Sequence, residues 1–272
     1  MTNQEKKPIV TEEINLYYTK GIYNFFIGTV AKLVVVVLAI LRKVSDPLKA
    51  KLSSIEYYTI VSALWIVNHT GNKLEGISSI SSSVHDNCFC KARQAIKDCI
   101  CKFCYAFSQQ ARHTGLKEHN ILNGIILRNI LLPVPAFKIL PILFPYLRIE
   151  SFGDVANVIQ ARNYIRIIKA FPGKRCAIWS KNIAIWDEAF KAEGKPKNTT
   201  YVHSSSKLNI PDDISKEKYP FVDHVFTVYT ADYIKANNIV INCGGKKCME
   251  CIREKRNCYF RNTEFFINEK KK

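Results

Sequence analysis

The chain has 272 residues, of which 47% are hydrophobic and 11% aromatic, with 11 Gly and 10 Pro. That composition excludes a disordered or low-complexity polymer and is enough for a full hydrophobic core, in one domain with an extension or in two. Forty Lys and Arg against 23 Asp and Glu leave a formal charge of +17, which favours anionic partners such as nucleic acid or a phosphate-bearing ligand over acidic ones, although a plain solvated basic surface has the same signature.

The opening stretch MTNQEKKPIVTEE is polar and does not read as a secretory signal peptide, so a reducing cytoplasm is the expected compartment. There, clustered thiols are expected to bind metal rather than pair as disulfides. Phe25 to Leu41 is apolar except at Gly28, Thr29 and Lys32. A membrane span needs roughly 20 apolar residues, and a charge near its middle is costly. No membrane span is therefore expected; the stretch reads as a buried helix or strand, with a membrane-associated segment as the alternative.

From Ser53 to Val67, apolar residues recur at helical intervals at Ile55, Tyr58, Val61, Leu64 and Trp65 before Gly71-Asn72 breaks the chain. Residues 1–72 read as a mainly helical extension and 73–272 as an α/β metal-binding domain. Leu74–Ser83 suits a strand leading into a loop, and Leu116–Leu132 a helix stopped by Pro133 and Pro135. Strands are then expected at Tyr146–Ser151, Arg175–Trp179, Thr200–His203, Val225–Val228 and Ile239–Ile241, with helices at Ile159–Phe171, Ile183–Ala192 and Ala231–Ala236 between them. Short strands alternating with helices mean parallel βαβ units, and the predicted fold is an incomplete parallel (β/α) barrel-like core with cysteine-rich metal-binding loops. In such folds ligands meet the loops at the carboxyl ends of the strands, which selects Ser151, Gly153, Asp154, Lys181, His203 and Ser204 as candidate cofactor- or substrate-binding residues. Asp154 has a competing use as a helix cap, and His203 as an ordinary structural histidine.

Nine of the ten cysteines fall into two groups, with Cys176 alone in a predicted strand. The first group is Cys88, Cys90, Cys99, Cys101 and Cys104; the second is Cys243, Cys248, Cys251 and Cys258. Each contains a CxxC pair, which sets two sulfurs on one ion or cluster across a tight turn. Cys90, Cys101 and Cys104 are the preferred ligands of the first group, with Cys88, Cys99 and the flanking His85, His113 and His119 as alternates. Iron–sulfur, in a four-iron form, is the expected occupant, and zinc is the alternative. No GxxxxGKS, HExxH or GxSxG pattern supports nucleotide hydrolysis, zinc proteolysis or an esterase site.

Several of these residues carry a resemblance. Ser79-Ile80-Ser81, Cys101-x-x-Cys104-Tyr105-Ala106, Arg148-Ile149-x-Ser151-x-Gly153-Asp154, Trp179-Ser180-Lys181, His203-Ser204-Ser205, Val225–Tyr229 and Cys243-Gly244…Cys248-x-x-Cys251…Cys258-Tyr259 together resemble the gene-product-88-like proteins of phages and other mobile elements, from about Lys73 to the C-terminus. That family brings no established activity. A more distant likeness is to radical S-adenosylmethionine enzymes, in which three cysteines after the first barrel strand hold a four-iron cluster with one iron open to the cofactor. The likeness implies Cys90, Cys101 and Cys104 as that trio, Ser151, Gly153 and Asp154 near the methionine amino group, and the C-terminal four as an auxiliary cluster. The spacing departs from the family: ten residues separate Cys90 from Cys101 instead of three. The expected protein is an iron–sulfur cluster-binding protein of a phage or mobile element, a radical-type or redox enzyme; the competing expectation is a zinc-stabilised, basic nucleic-acid-binding protein without catalysis.

Overall fold

A computed structural model describes residues 54–68, 73–244, 247–256 and 258–271. The apolar stretch Phe25–Leu41 and most of the predicted extension lie outside them. No helix among the described residues is long and apolar enough to cross a membrane.

Seven strands form one sheet: β1 (Val67–Asn68), β2 (Ser78–Ile80), β3 (Tyr146–Ile149), β4 (Arg175–Ser180), β5 (Thr199–Ser204), β6 (His224–Tyr229) and β7 (Phe266–Lys270). They are ordered as they occur in the chain; β1 is antiparallel to β2, and β2 to β7 are all parallel. This is the strand order of a (β/α) barrel opened along one seam. The helices are α1 (Ser54–Ser62), α2 (Cys88–Ala95), α3 (Tyr105–Arg112), α4 (Thr114–Asn129), α5 (Val158–Ala170), α6 (Ile183–Glu193), α7 (Ala231–Asn237) and α8 (Cys248–Arg253).

Sequential parallel strands joined by right-handed connections collect their helices on one face. Period-two alternation then decides which residues meet them. Leu147, Ile149, Cys176, Ile178, Tyr201 and Val225 face the helices and pack with Ile125, Ile126, Tyr164, Ile165, Ile168 and Trp186 in the main core. Their neighbours Ala177, Val202, Phe226 and Ile267 point the other way and pack with Ile252, Cys258 and Tyr259. Ile60, Val61, Leu64 and Ile66 belong to the main core, so residues 54–68 are part of the same packed body.

In a flat sheet the outermost of six parallel strands would stand about 24 Å apart. Yet Lys73, in the turn before β2, makes a 2.6 Å ion pair with Glu269 on β7. The sheet therefore curls away from its helices, and the described residues between Asn242 and Tyr259 lie across the concave face. At one edge the Cys243 amide donates to Asn268 O (3.0 Å), and at the other the Cys248 amide donates to Lys73 O (2.9 Å). Met249 packs on Gly76, whose positive φ of 78° disfavours a side chain and where a Cβ would meet the Met249 side chain at 3.1 Å.

The strand predicted at Ile239–Ile241 is not formed; the last strand is β7. Ile239–Ile241 is short, Val240 is exposed, and the stretch serves as the lead into the crossing segment. Phe266–Lys270 had a weak signature because Ile267 is its one buried apolar residue and three of the other four are polar or charged.

Candidate metal centres

The first cysteine group lies on the excursion between β2 and α4. Asn87 caps α2, its Oδ1 accepting from the amides of Phe89 (2.9 Å) and Cys90 (3.2 Å) while its amide donates to Asp154 O (2.5 Å). One residue thus starts the helix that carries Cys90 and ties it to the loop after β3. Further along, Ile100 donates to Ser206 O (2.8 Å) and Cys99 bridges Lys207, which docks the excursion on the loop after β5. The CxxC turn closes through Cys104 N to Cys101 O (3.1 Å).

This folding brings Cys90, Cys101 and Cys104 together. Burial raises the Cys90 thiol pKa, and Asp154, Glu150, Cys104 and Cys101 raise it further. Burial likewise pushes Cys101 up to about 12; Lys181 opposes the shift, while Cys99, hydrogen-bonded to it, and Cys104 add to it. Cys88 is exposed at the start of α2. The flanking histidines turn elsewhere: His85 Nε2 contacts Phe107 O (3.1 Å), and His119 stacks on Trp65 with its Nδ1 at Gly115 O (2.8 Å).

The candidate ligand residues gather at the same rim, but their polar atoms are engaged inside the protein. Asp154 Oδ1 accepts from the Ser180 hydroxyl and the Val155 amide (2.8 Å), and Oδ2 from the Lys181 amide (2.7 Å). It does not cap α5; Asn157 does. Ser151 Oγ lies 3.0 Å from Ser81 Oγ, and Ser151 O accepts from the Tyr105 hydroxyl (2.7 Å). A Cβ on Gly153 would meet Ser82 O at 2.6 Å and Glu150 Oε2 at 2.7 Å, so this glycine permits close packing of two loops rather than approach of a ligand. Lys181 Nζ donates to Ser204 Oγ (2.5 Å) and Ser205 O (2.9 Å). His203 Nε2 pairs with Asp212 (2.8 Å), while its buried Nδ1 has no partner among the described residues.

Glu150 is the hub of this network. It is buried, holds a left-handed φ of 56°, and accepts from the Ser82 amide (3.0 Å), the Ser82 hydroxyl (2.7 Å), Gln160 Nε2 (3.0 Å) and the Tyr164 hydroxyl (2.6 Å). Burial dominates over these donors and pushes its pKa up to about 7.

The second group is built differently. Cys243, Cys248, Cys251 and Cys258 line one cavity of about 30 Å³ between the crossing segment and the concave face of the sheet. Burial pushes Cys258 up to about 12, with Cys248, Cys243 and Cys251 all acting on it. Burial also raises Cys243, to about 11, against the opposing charge of Lys73. Lys73, Arg148 and Arg256 line the same space. Lys73 Nζ is 3.6 Å from Cys243 Sγ; burial opposes its charge, but Cys243 and Glu269 outweigh that and carry its pKa to about 12. The Arg148 guanidinium stacks 4.0 Å from the Trp179 ring centre. Arg148 Nε, Trp179 Nε1 and Tyr259 Oη are buried without a hydrogen-bond partner among the described residues. Gly244, at φ 119°, lets the chain turn under Glu269.

Tyr105 stands beside the first group, its hydroxyl donating to Ser151 O (2.7 Å) while its ring stays exposed. Cys176 is separate, buried among apolar side chains of the main core. Among the described residues no three or more His, Cys, Asp or Glu side chains are placed to hold a metal ion. Sequence reasoning did not find Lys73, Glu269 or the pairing of Arg148 with Trp179. The alternation in YLRI and RCAIWS, which puts Arg148 and Trp179 on the same face of adjacent strands, was the available signal. No protein-family model, curated protein or solved structure matches the chain.

Proposed function

We propose that this chain is an iron–sulfur redox protein on a partial (β/α) barrel, with Cys243, Cys248, Cys251 and Cys258 holding one cluster and Cys90, Cys101 and Cys104 a second. The observation that carries the reading is the concave-face cavity, where four mutually interacting thiols share one space with three cations and three buried, unpartnered donors. Donors left unpaired in a dry site are costly unless something accepts from them. Thiolate and sulfide sulfur would do so.

When bound, such clusters supply one-electron transfer at a potential set by net charge, hydrogen bonds to sulfur and exposure. The chain's own residues do the rest. Lys73, Arg148 and Arg256 offset the negative charge of four thiolates, and the crossing segment keeps water from the concave face. At the rim, Lys181 favours the thiolate of Cys101, and the Glu150–Asp154 network holds the loop that carries the trio. Because both Asp154 oxygens are already taken and Gly153 abuts Ser82, no S-adenosylmethionine contact is assigned to these residues.

Anaerobically purified Cys104→Ser and Cys251→Ser proteins test the two-centre arrangement. Each is expected to retain about half of the wild-type iron and sulfide. Loss of all metal from either would mean one shared site.

A further inference from the structure

The excursion that carries the first cysteine group is also the most aromatic and basic exposed surface described. Phe103 is 66% exposed, Tyr105 61%, Ile96 48% and Phe107 38%. Large apolar side chains are rarely left this open in a cluster without a partner. Lys91, Lys97, Lys102 and Arg112 are exposed between them, and Asp98 is the only acidic residue from Cys88 to Lys117. Two cations arrive from other strand ends: exposed Lys207 bridges Cys99, and Lys271 Nζ lies 4.5 Å from the Phe103 ring centre.

From this surface we infer that the rim at the carboxyl ends of the strands binds single-stranded nucleic acid. Rings alternating with lysines match an unpaired strand, whose bases stack on aromatic faces while its phosphates meet the cations. A duplex keeps its bases paired and gives exposed rings nothing to stack on. A membrane-surface helix instead segregates a continuous apolar face from a cationic one; here Lys102 and Phe103 are neighbours on one turn. The net charge of +17 adds long-range attraction but does not choose the face. The face is made of side chains other than the thiols, so it stands or falls separately from the clusters.

The test is fluorescence anisotropy of the full-length protein with a labelled oligouridine, the matching duplex and phosphatidylserine vesicles as probes. The oligouridine is expected to bind at least about tenfold more tightly than the duplex, with affinity falling steeply with salt. Phe103→Ala should weaken it roughly tenfold with the salt slope unchanged, and Lys91→Ala/Lys97→Ala should reduce the slope by about 1.4, at about 0.7 per phosphate contact. Lys235→Ala, on α7, is the charge control and should change little. Equal binding of duplex, an equal loss in Lys235→Ala, or preference for vesicles would overturn the inference. Iron and sulfide are measured on each variant. If Phe103→Ala loses binding only when it also loses metal, the face is not the contact. Phe103-dependent binding by a protein without iron would keep the face and remove the cluster proposal.

Discussion

The two cysteine groups are placed by different devices. The first rides on short helices and a turn at the rim, and its position depends on a buried polar network around Glu150, Asp154 and Asn87 in neighbouring loops. The second lies on a segment strapped across the concave face, and its position depends on backbone bonds to both edges of the sheet. The electrostatics differ as well. Burial raises the thiols of both groups; Asp154 and Glu150 raise Cys90 further, whereas Arg148 and Lys73 oppose the rise at Cys248. Thiols similarly spaced in sequence can therefore differ in how firmly they hold metal, and the second group should hold it more firmly.

Glu150→Ala should break this comparison most sharply. It orphans the Ser82 amide and hydroxyl, Gln160 and Tyr164 in a buried site, at a cost of about 3 kcal/mol or more. Chemical denaturation should show that loss, and iron should leave the first group while the second retains its share. Equal loss from both groups would mean that the network braces the whole fold.

The pH dependence of stability is next in size. Glu150 is raised from 4.5 to about 7, so the fold binds its proton more tightly than the unfolded chain does. Its contribution is fully present below pH 4.5 and is lost as pH rises through 7, up to about 3 kcal/mol in all. Urea midpoints across that window should show this component in the wild type and lack it in Glu150→Gln. An identical profile in both would assign the pH dependence elsewhere.

The smallest effect sharpens the other side. Arg148→Leu removes a cation and a buried donor from the concave cavity while leaving all four thiols. The second centre should become harder to reduce by roughly 50 mV, as expected for one partly screened charge, with the first unchanged. An unchanged potential at full iron content would remove Arg148 from the cluster's surroundings.

Much of the architecture was legible in the residues. Short β-branched runs between amphipathic stretches mark β3 to β6 and their helices, because burial on both faces leaves near-continuous apolar strands. β7 was not legible, since FINEK has one buried apolar residue, Ile267, between an exposed Phe266 and the polar or charged Asn268, Glu269 and Lys270, and Ile239–Ile241 looked more strand-like in its place. The cysteine groups announce themselves by clustering; the thiols of Cys90, Cys101 and Cys104 lie near enough to act on one another, while no three side chains among the described residues are placed to hold a metal ion. What spacing could not tell was the use of Asp154 and Gly153, which serve loop packing, because hydrogen-bond partners at sequence separations of 26 and more are set by tertiary contacts alone. Lys73 and Glu269, 196 residues apart, meet only because the sheet curls.

The central claim is that the concave cavity and the rim each hold iron–sulfur. The most direct measurement is an optical spectrum of the anaerobically purified wild-type protein with iron, acid-labile sulfide and zinc analysis on the same sample. The account predicts a brown protein with iron and sulfide in about equal amounts, enough for two clusters. A colourless protein with stoichiometric zinc and no sulfide would contradict it.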